Sequence, residues 1–250
     1  MHYIEGCHLG HHAGDAFKDP GFNLAGTKIR TSSAEGHLFL SRAASALYDE
    51  ICRNGWKKRW LQHVADEPTP AGASEYRIFA GIVRKFMPGI TLFDASLDPN
   101  LAGSVDHWCP PIHFYALHRE KYEAYRAAGD KIWYYTCCFP GGPWVNRFLD
   151  QSLLCPFFLA WAGVLYNFDG FLHWGLNHYN PADDPFADIP RQKGQRCLPA
   201  GDTHIVYPGA AGPWSSLRFE AHREGFEDLE LLKKVQCTDP AAVRAILRPV

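Results

Sequence analysis

The stretch Arg59-Trp60-Leu61-Gln62-His63-Val64-Ala65-Asp66-Glu67-Pro68 decides how this chain is read. Residues 59–65 have the aromatic and apolar character of a short strand. Asp66 and Glu67 then place two adjacent carboxylates at its carboxyl end, and Pro68 cannot continue a ladder. Like charges a few ångströms apart cannot both ionise cheaply, so one group keeps its proton near neutral pH while the other stays ionised. A protonated carboxyl can donate to a leaving oxygen, and a carboxylate beside it can face a developing positive centre. That division of labour suits acid-assisted cleavage of a glycosidic bond. The same two residues also read as the acidic N-terminus of a helix running from Asp66 through Glu75, and spacing alone leaves both readings open.

Outward from this stretch, strand-like and helix-like segments alternate. Residues 2–7 read as a strand, followed by a Gly- and His-rich excursion to about residue 36. The spacing predicts a helix over 38–54, with Leu38, Leu40, Ala43, Ala44, Leu47 and Ile51 as its apolar stripe and Gly55 as its stop. After strand 59–65 come a helix at 73–87, a short strand at 90–93 ending at Asp94, and a brief extended piece at 105–108. A helix at 114–128, a strong strand at 131–137, a mostly apolar helix at 149–166 and a last strand at 171–174 complete the series. Beyond it, 178–203 read as a Pro- and Asp-rich loop, 204–207 as a short extended piece and 216–235 as a charged helix.

This βαβα rhythm predicts an α/β fold with a parallel sheet covered by helices. Neither a Gly-rich phosphate fingerprint, a P-loop nor a Gly-x-Ser-x-Gly motif is present to favour an open doubly wound sheet. Polar and aromatic residues gather just after the strands: Asp66 and Glu67, Asp94, His107 and Trp108, Tyr135, Trp174 and Asn177. Those positions form the reactive face of a (β/α)8 TIM-type barrel, which is therefore the expected architecture.

A chain of 250 residues that is 46% hydrophobic can bury one sizeable core, so residues 1–250 read as a single domain. The formal net charge is −2 and no basic run stands out, which argues against nucleic acid or an anionic membrane as partner. No apolar stretch approaches the roughly 18 residues of a membrane span. The 8 Trp and 11 Tyr can stack on sugar rings or simply fill a core. Cysteines at 7, 52, 109, 137, 138, 155, 197 and 237 show no CxxC spacing, which fits a reducing cytoplasmic setting better than a secreted one. His8, His11 and His12 cluster, but without a carboxylate or Cys at ligand spacing, so neither a metal nor another cofactor is expected.

Several blocks in one order carry a resemblance. They are Ile4-Glu5-Gly6-Cys7-His8-Leu9, the segment from Trp60 to Asp66-Glu67-Pro68, and Trp133-Tyr134-Tyr135. Further on come Asp169-Gly170-Phe171-Leu172-His173-Trp174-Gly175-Leu176-Asn177, Gly201-Asp202, Val206-Tyr207-Pro208-Gly209, Arg218 and Arg223-Glu224-Gly225-Phe226-Glu227-Asp228. Together they make the chain similar to the catalytic domain of glycoside hydrolase family 123, a group of β-N-acetylgalactosaminidases. The resemblance implies a retaining, substrate-assisted reaction in which the substrate's own 2-acetamido carbonyl is the nucleophile, a departure from the usual two-carboxylate arrangement. Carried onto this sequence, Glu67 would be the general acid/base and Asp66 would orient the acetamido group and face the oxazolinium-like intermediate. Trp108, Tyr135, Trp174 and Asn177 would contact an N-acetylhexosamine-containing glycan. Arg218, Arg223 and Glu224 read instead as features that tether the late helix.

In the family the acidic pair follows the fourth barrel strand, whereas here it follows the second, and about six strand-helix units can be found rather than eight. Both counts predict a partial barrel that begins at the third strand, with a missing amino-terminal segment as its natural complement. The segments at 2–7 and 170–174 would then be edge strands. A carbohydrate-binding remnant without turnover and a hydrolase for another glycoside are the alternatives. Localisation stays open, because an upstream segment could carry a secretion signal.

Overall fold

The computed structural model describes residues 3–189 and 197–247, so His2 of the first expected strand and residues 190–196 of the long loop lie outside the described residues. The chain divides into two compact units, Met1–Trp133 and Tyr134–Val250.

In the first unit, β1 (Ile4–Gly6) leads through an antiparallel hairpin of β2 (Gly10–His12) and β3 (Phe22–Leu24) to helix α1 (Ala34–Arg53). Strand β4 (Trp60–Gln62), a 3-10 turn at Pro70–Gly72 and helix α2 (Ala73–Phe86) follow. Next come β5 (Thr91–Ala95), β6 (His107–Cys109), α3 (Ile112–Leu117), α4 (Arg119–Ala128) and β7 (Lys131–Tyr135). The strands pair in parallel from β1 to β4, β4 to β5, β5 to β6 and β6 to β7, with Ile4 opposite Trp60 and Asp94 opposite Trp108. Both faces of these strands are covered: Leu61, Leu92, Phe93, Trp108 and Ile132 are all buried.

Local chemistry sets the helix ends. Ser33 caps α1, its Oγ accepting the Gly36 N–H at 3.0 Å. The buried face of α1 runs through Gly36, Leu40, Ala44 and Ile51, whereas Leu38, expected on that face, lies half a turn away and is 52% exposed. Helix α2 begins at Ala73, behind a 3-10 turn, and the residue before it, Gly72, makes no side-chain cap bond. Asp66 and Glu67 therefore do not cap a helix, and the alternative reading of the pair falls away. The single helix expected over 114–128 is two, broken at His118.

In the second unit, the end of β7 is followed by α5 (Leu154–Leu165), β8 (Gly170–Leu172), an antiparallel hairpin of β9 (Tyr207–Gly209) and β10 (Gly212–Trp214), and helices α6 (Leu217–Thr238) and α7 (Pro240–Ile246). Ala160, Val164, Leu229, Leu232 and Val243 form its buried cluster. Gly225 allows close approach of α6 to α5, because a Cβ there would stand 2.1 Å from the Phe157 carbonyl oxygen. The β9–β10 hairpin and α7 were not anticipated, although Asp239-Pro240 is an N-cap followed by a first-turn proline, with Asp239 accepting the N–H of Ala241 and Ala242.

The strand order is β1-β4-β5-β6-β7-β8, sequential through the chain, a six-stranded α/β sheet consistent with a partial barrel, although no helix separates β5 from β6. Among the described residues β1 and β8 end the sheet, and no ring of eight strands is formed. Cys109 and Cys137 are buried, whereas Cys7, Cys52, Cys197 and Cys237 are exposed. Among the described residues no helix is long and apolar enough to cross a membrane.

Candidate active site

The ladder of β4 stops at Gln62, and the chain continues through buried His63, Val64 and Ala65 before Asp66 emerges into solvent. Beyond the ladder, the β2 segment takes over the pairing: the Gly10 N–H donates to the Val64 carbonyl at 3.0 Å, and Gly10 bridges Ala65 in parallel. The N–H groups of Val64 and Ala65 go to a side chain instead. Asp94, on β5 and fully buried, accepts both on Oδ2, at 3.1 and 3.2 Å. Its Oδ2 also accepts the Tyr76 hydroxyl from α2, and its Oδ1 lies 3.0 Å from His63 Nδ1. A buried carboxylate with four donors meets the general requirement that buried charge be paired and hydrogen-bonded.

The other ring nitrogen of His63, Nε2, stands 2.6 Å from Glu5 Oε1 on β1. Burial disfavours a charged His63, but the hydrogen bonds to Asp94 and Glu5 outweigh it and raise its pKa to about 9. The same bond holds the Glu5 carboxyl below its usual range. His8, whose ring centroid is 4.3 Å from that of His63, is pushed down by burial and by the His63 charge. His8, His63 and Asp94 bring their polar atoms within 4.8 Å of one another. Both His63 nitrogens are already committed to carboxylates, so the geometry is that of a hydrogen-bonded ion cluster rather than a metal centre.

On this platform sits the acidic pair. The Asp66 side chain is 65% exposed, with Oδ1 3.7 Å from His8 Nε2. Glu67 has φ of 42°, a left-handed conformation that a residue with a Cβ seldom adopts. Its carbonyl oxygen lies 3.2 Å from His12 Nε2, so the β2 hairpin grips the turn from one side and Asp94 from the other. Strain of this kind persists only where the surroundings over-determine it, and it concentrates at functional sites.

The remaining expected sugar contacts divide. Trp108 is a correction: β6 extends through Cys109, so Trp108 lies within the ladder rather than beyond it, and its side chain is fully buried. Its ring stacks on Tyr125 of α4 at 4.7 Å and its Nε1 donates to Asp130 Oδ2 at 2.8 Å, so no face is open to a ligand. Tyr135 ends β7, is 3% exposed and meets Phe139 edge-on. Trp174 is 46% exposed, its Nε1 donating to Asp202 Oδ2 at 3.2 Å. Asn177 is exposed and its backbone bridges His204.

Asp202, quoted from the sequence only as part of a motif block, belongs to a second buried polar group. Arg147 Nη2 donates to the Asp202 carbonyl at 3.0 Å, and His173 Nε2 lies 3.4 Å from Asp202 Oδ1. Burial drives both His173 and His222 down to about 4. Arg218 donates to the carbonyls of Arg147, Gly201 and His204, which bears out its reading as a tether, although its partners are carbonyls rather than carboxylates. In the first unit's cluster, Asp94 was already among the residues expected beyond the strands, whereas Glu5, in the middle of β1, and His63, just past β4, were quoted only within longer blocks.

No curated protein matches this chain. Among solved structures, one described as a family 123 glycoside hydrolase from Clostridium perfringens, from work on glycolipid glycan hydrolysis, is similar at 16% identity with a TM-score of 0.67. The alignment covers 86% of this chain and 38% of that one, so this chain spans well under half of that structure's length and the likeness speaks for the fold. The family model "Glycoside hydrolase 123, catalytic domain" matches residues 24–235, a range that takes in Asp66, Glu67, Asp94 and Trp174. That match extends over most of the sequence, and the chain belongs to the family of the glycoside hydrolase 123 catalytic domain.

Proposed function

We propose that Asp66 and Glu67 are the catalytic pair of a retaining glycosidase acting on an N-acetylhexosamine, of the β-N-acetylgalactosaminidase type. The observation that carries this reading is the backbone of Glu67, held left-handed at the end of a parallel strand within the family's matched region. In the first step the Glu67 carboxyl gives its proton to the glycosidic oxygen as the C1–O bond breaks. The acetamido carbonyl oxygen attacks C1 and forms an oxazolinium ion. Asp66 accepts the acetamido N–H and faces the positive charge. Water then adds to C1, its proton passes to the Glu67 carboxylate, and the ring opens to restore the acetamido group with net retention.

Trp174 and Asn177, exposed in the second unit, and Tyr135 are proposed as sugar contacts on the strength of the family motif. Trp108 is left out. The experiment is hydrolysis of an aryl N-acetyl-β-galactosaminide by the full-length protein and by Glu67→Gln. A loss of about 100-fold or more in kcat is expected. Unchanged turnover would refute the assignment, and binding without any product from the unaltered protein would favour a carbohydrate-binding role. A glycoside lacking the 2-acetamido group should be inert; its cleavage would move the reading to a different sugar.

A further inference from the structure

Resting on the reading of Asp66 and Glu67 as the catalytic pair, we propose that Glu5, His63 and Asp94 form a positioning relay. The relay holds the turn that carries the pair.

Val64 and Ala65 lie past the β4 ladder, and their N–H groups need acceptors in a buried setting. Asp94 supplies one oxygen for both, so the path of the chain into Asp66 is fixed by a side chain of the neighbouring strand. That carboxylate is in turn oriented by His63 Nδ1 and the Tyr76 hydroxyl. His63 is oriented by Glu5, whose side chain is 54% exposed, so the chain of contacts runs from solvent through β1 and β4 to β5. A buried ion cluster is a poor source of stability, since well-packed apolar residues do as well. Its placement directly behind a strained acidic pair points to positioning instead.

Among the described residues, the charged and titratable groups around the cluster include Glu5 on β1, His8 after β1, Tyr76 and Arg84 on α2, Asp94 on β5, Asp106 before β6, Cys109 on β6 and Asp66 itself. With His63 protonated between two carboxylates, the relay carries one net negative charge. His63→Gln leaves two negative charges unopposed, whereas Asp94→Asn or Glu5→Gln removes one.

The test uses the full-length protein with these three substitutions. Kinetics on the aryl N-acetyl-β-galactosaminide are followed across pH, and the Asp66 and Glu67 carboxyls are titrated by carbon-13 NMR. For His63→Gln both limbs of the pH–rate profile, and both carboxyl titrations, should move up by about one unit; for Asp94→Asn and Glu5→Gln they should move down. For His63→Gln and Asp94→Asn kcat should fall by about 10- to 100-fold with KM changed less than about threefold. Asp94→Asn, whose amide oxygen still accepts an N–H, should keep more activity than Asp94→Ala. A fall in melting temperature and activity with unmoved limbs and titrations would reduce the cluster to a structural feature and overturn the proposal. Should the buried variants fail to fold, Glu5→Gln decides, and an unmoved profile there sinks the relay. If Glu67→Gln leaves turnover intact, the reading of the pair has failed. The relay then stands on both carboxyl titrations moving up in His63→Gln and down in Asp94→Asn and Glu5→Gln, and falls if they stay in place.

Discussion

Oδ2 of Asp94 lies 3.2 Å from the backbone nitrogen of Ala65, the residue immediately before Asp66. One strand thereby positions the loop of its neighbour through a side chain, at the point where the β4 ladder has run out. The turn carrying Asp66 and Glu67 is set from three sides: by Asp94 from β5, by Gly10 pairing along the extension of β4, and by His12 at the Glu67 carbonyl. Energetically the arrangement substitutes charge-assisted hydrogen bonds for missing sheet pairing.

His63 should make stability depend on pH in a defined direction. Its value is raised from 6.5 to about 9, so its stabilising effect is fully present below 6.5 and is lost as pH rises through 9. The shift corresponds to at most about 3 kcal/mol. Denaturant unfolding of the unaltered protein and His63→Gln should differ in midpoint near neutral pH, with the gap narrowing towards pH 9. A gap that widens with pH would contradict the protonated state of His63.

The backbone of Glu67 should prefer glycine to alanine. At a φ of 42°, a Cβ costs about 1 kcal/mol, whereas glycine is unstrained. Glu67→Gly should therefore unfold at higher denaturant than Glu67→Ala, and both should lose turnover. The reverse order of stability would show that the left-handed turn is not held in solution.

Arg218 should behave as a buried tether. Its guanidinium meets three carbonyls, so Arg218→Ala leaves those acceptors without their donors and should cost about 3 kcal/mol or more in denaturant unfolding. Arg218→Met, which keeps the length and loses the donors, should recover little. Full stability in either variant would remove the tether.

Much of this fold was legible because strand and helix periods alternate cleanly, although the Ser33 cap went unread and α1 begins at Ala34 rather than at 38. Asp66 and Glu67 stood out in the sequence because two carboxylates before a proline have few cheap uses at a strand end. What could not be read was direction. In a parallel strand covered on both faces, His107 and Trp108 look alike as pocket candidates, and only the packing of Trp108 on Tyr125 assigns its face. Residues paired across distant positions were hidden for the same reason. Glu5, His63 and Asp94 lie 58 and 31 positions apart along the chain and meet only through strand register.

His222 should set part of the acid sensitivity of the second unit. Burial and the nearby Arg147 hold it at about 4, below the ordinary 6.5, so it favours the folded state above 6.5 and progressively less as pH falls towards 4. Its ring already packs edge-on against Phe171, so His222→Phe should move the acid-unfolding midpoint to lower pH. A midpoint that stays in place or rises would show that His222 does not fold neutral.

If Glu67 protonates the leaving oxygen, the effect of removing its carboxyl must grade with the acidity of the leaving group. Compare kcat/KM for the full-length protein and Glu67→Gln on two aryl N-acetyl-β-galactosaminides, one with a highly acidic phenol and one with a weakly acidic phenol. Glu67→Gln should lose little on the acidic phenol, which needs no proton, and more by about 100-fold or greater on the weakly acidic one. Equal losses on both substrates, or none on either, would contradict it.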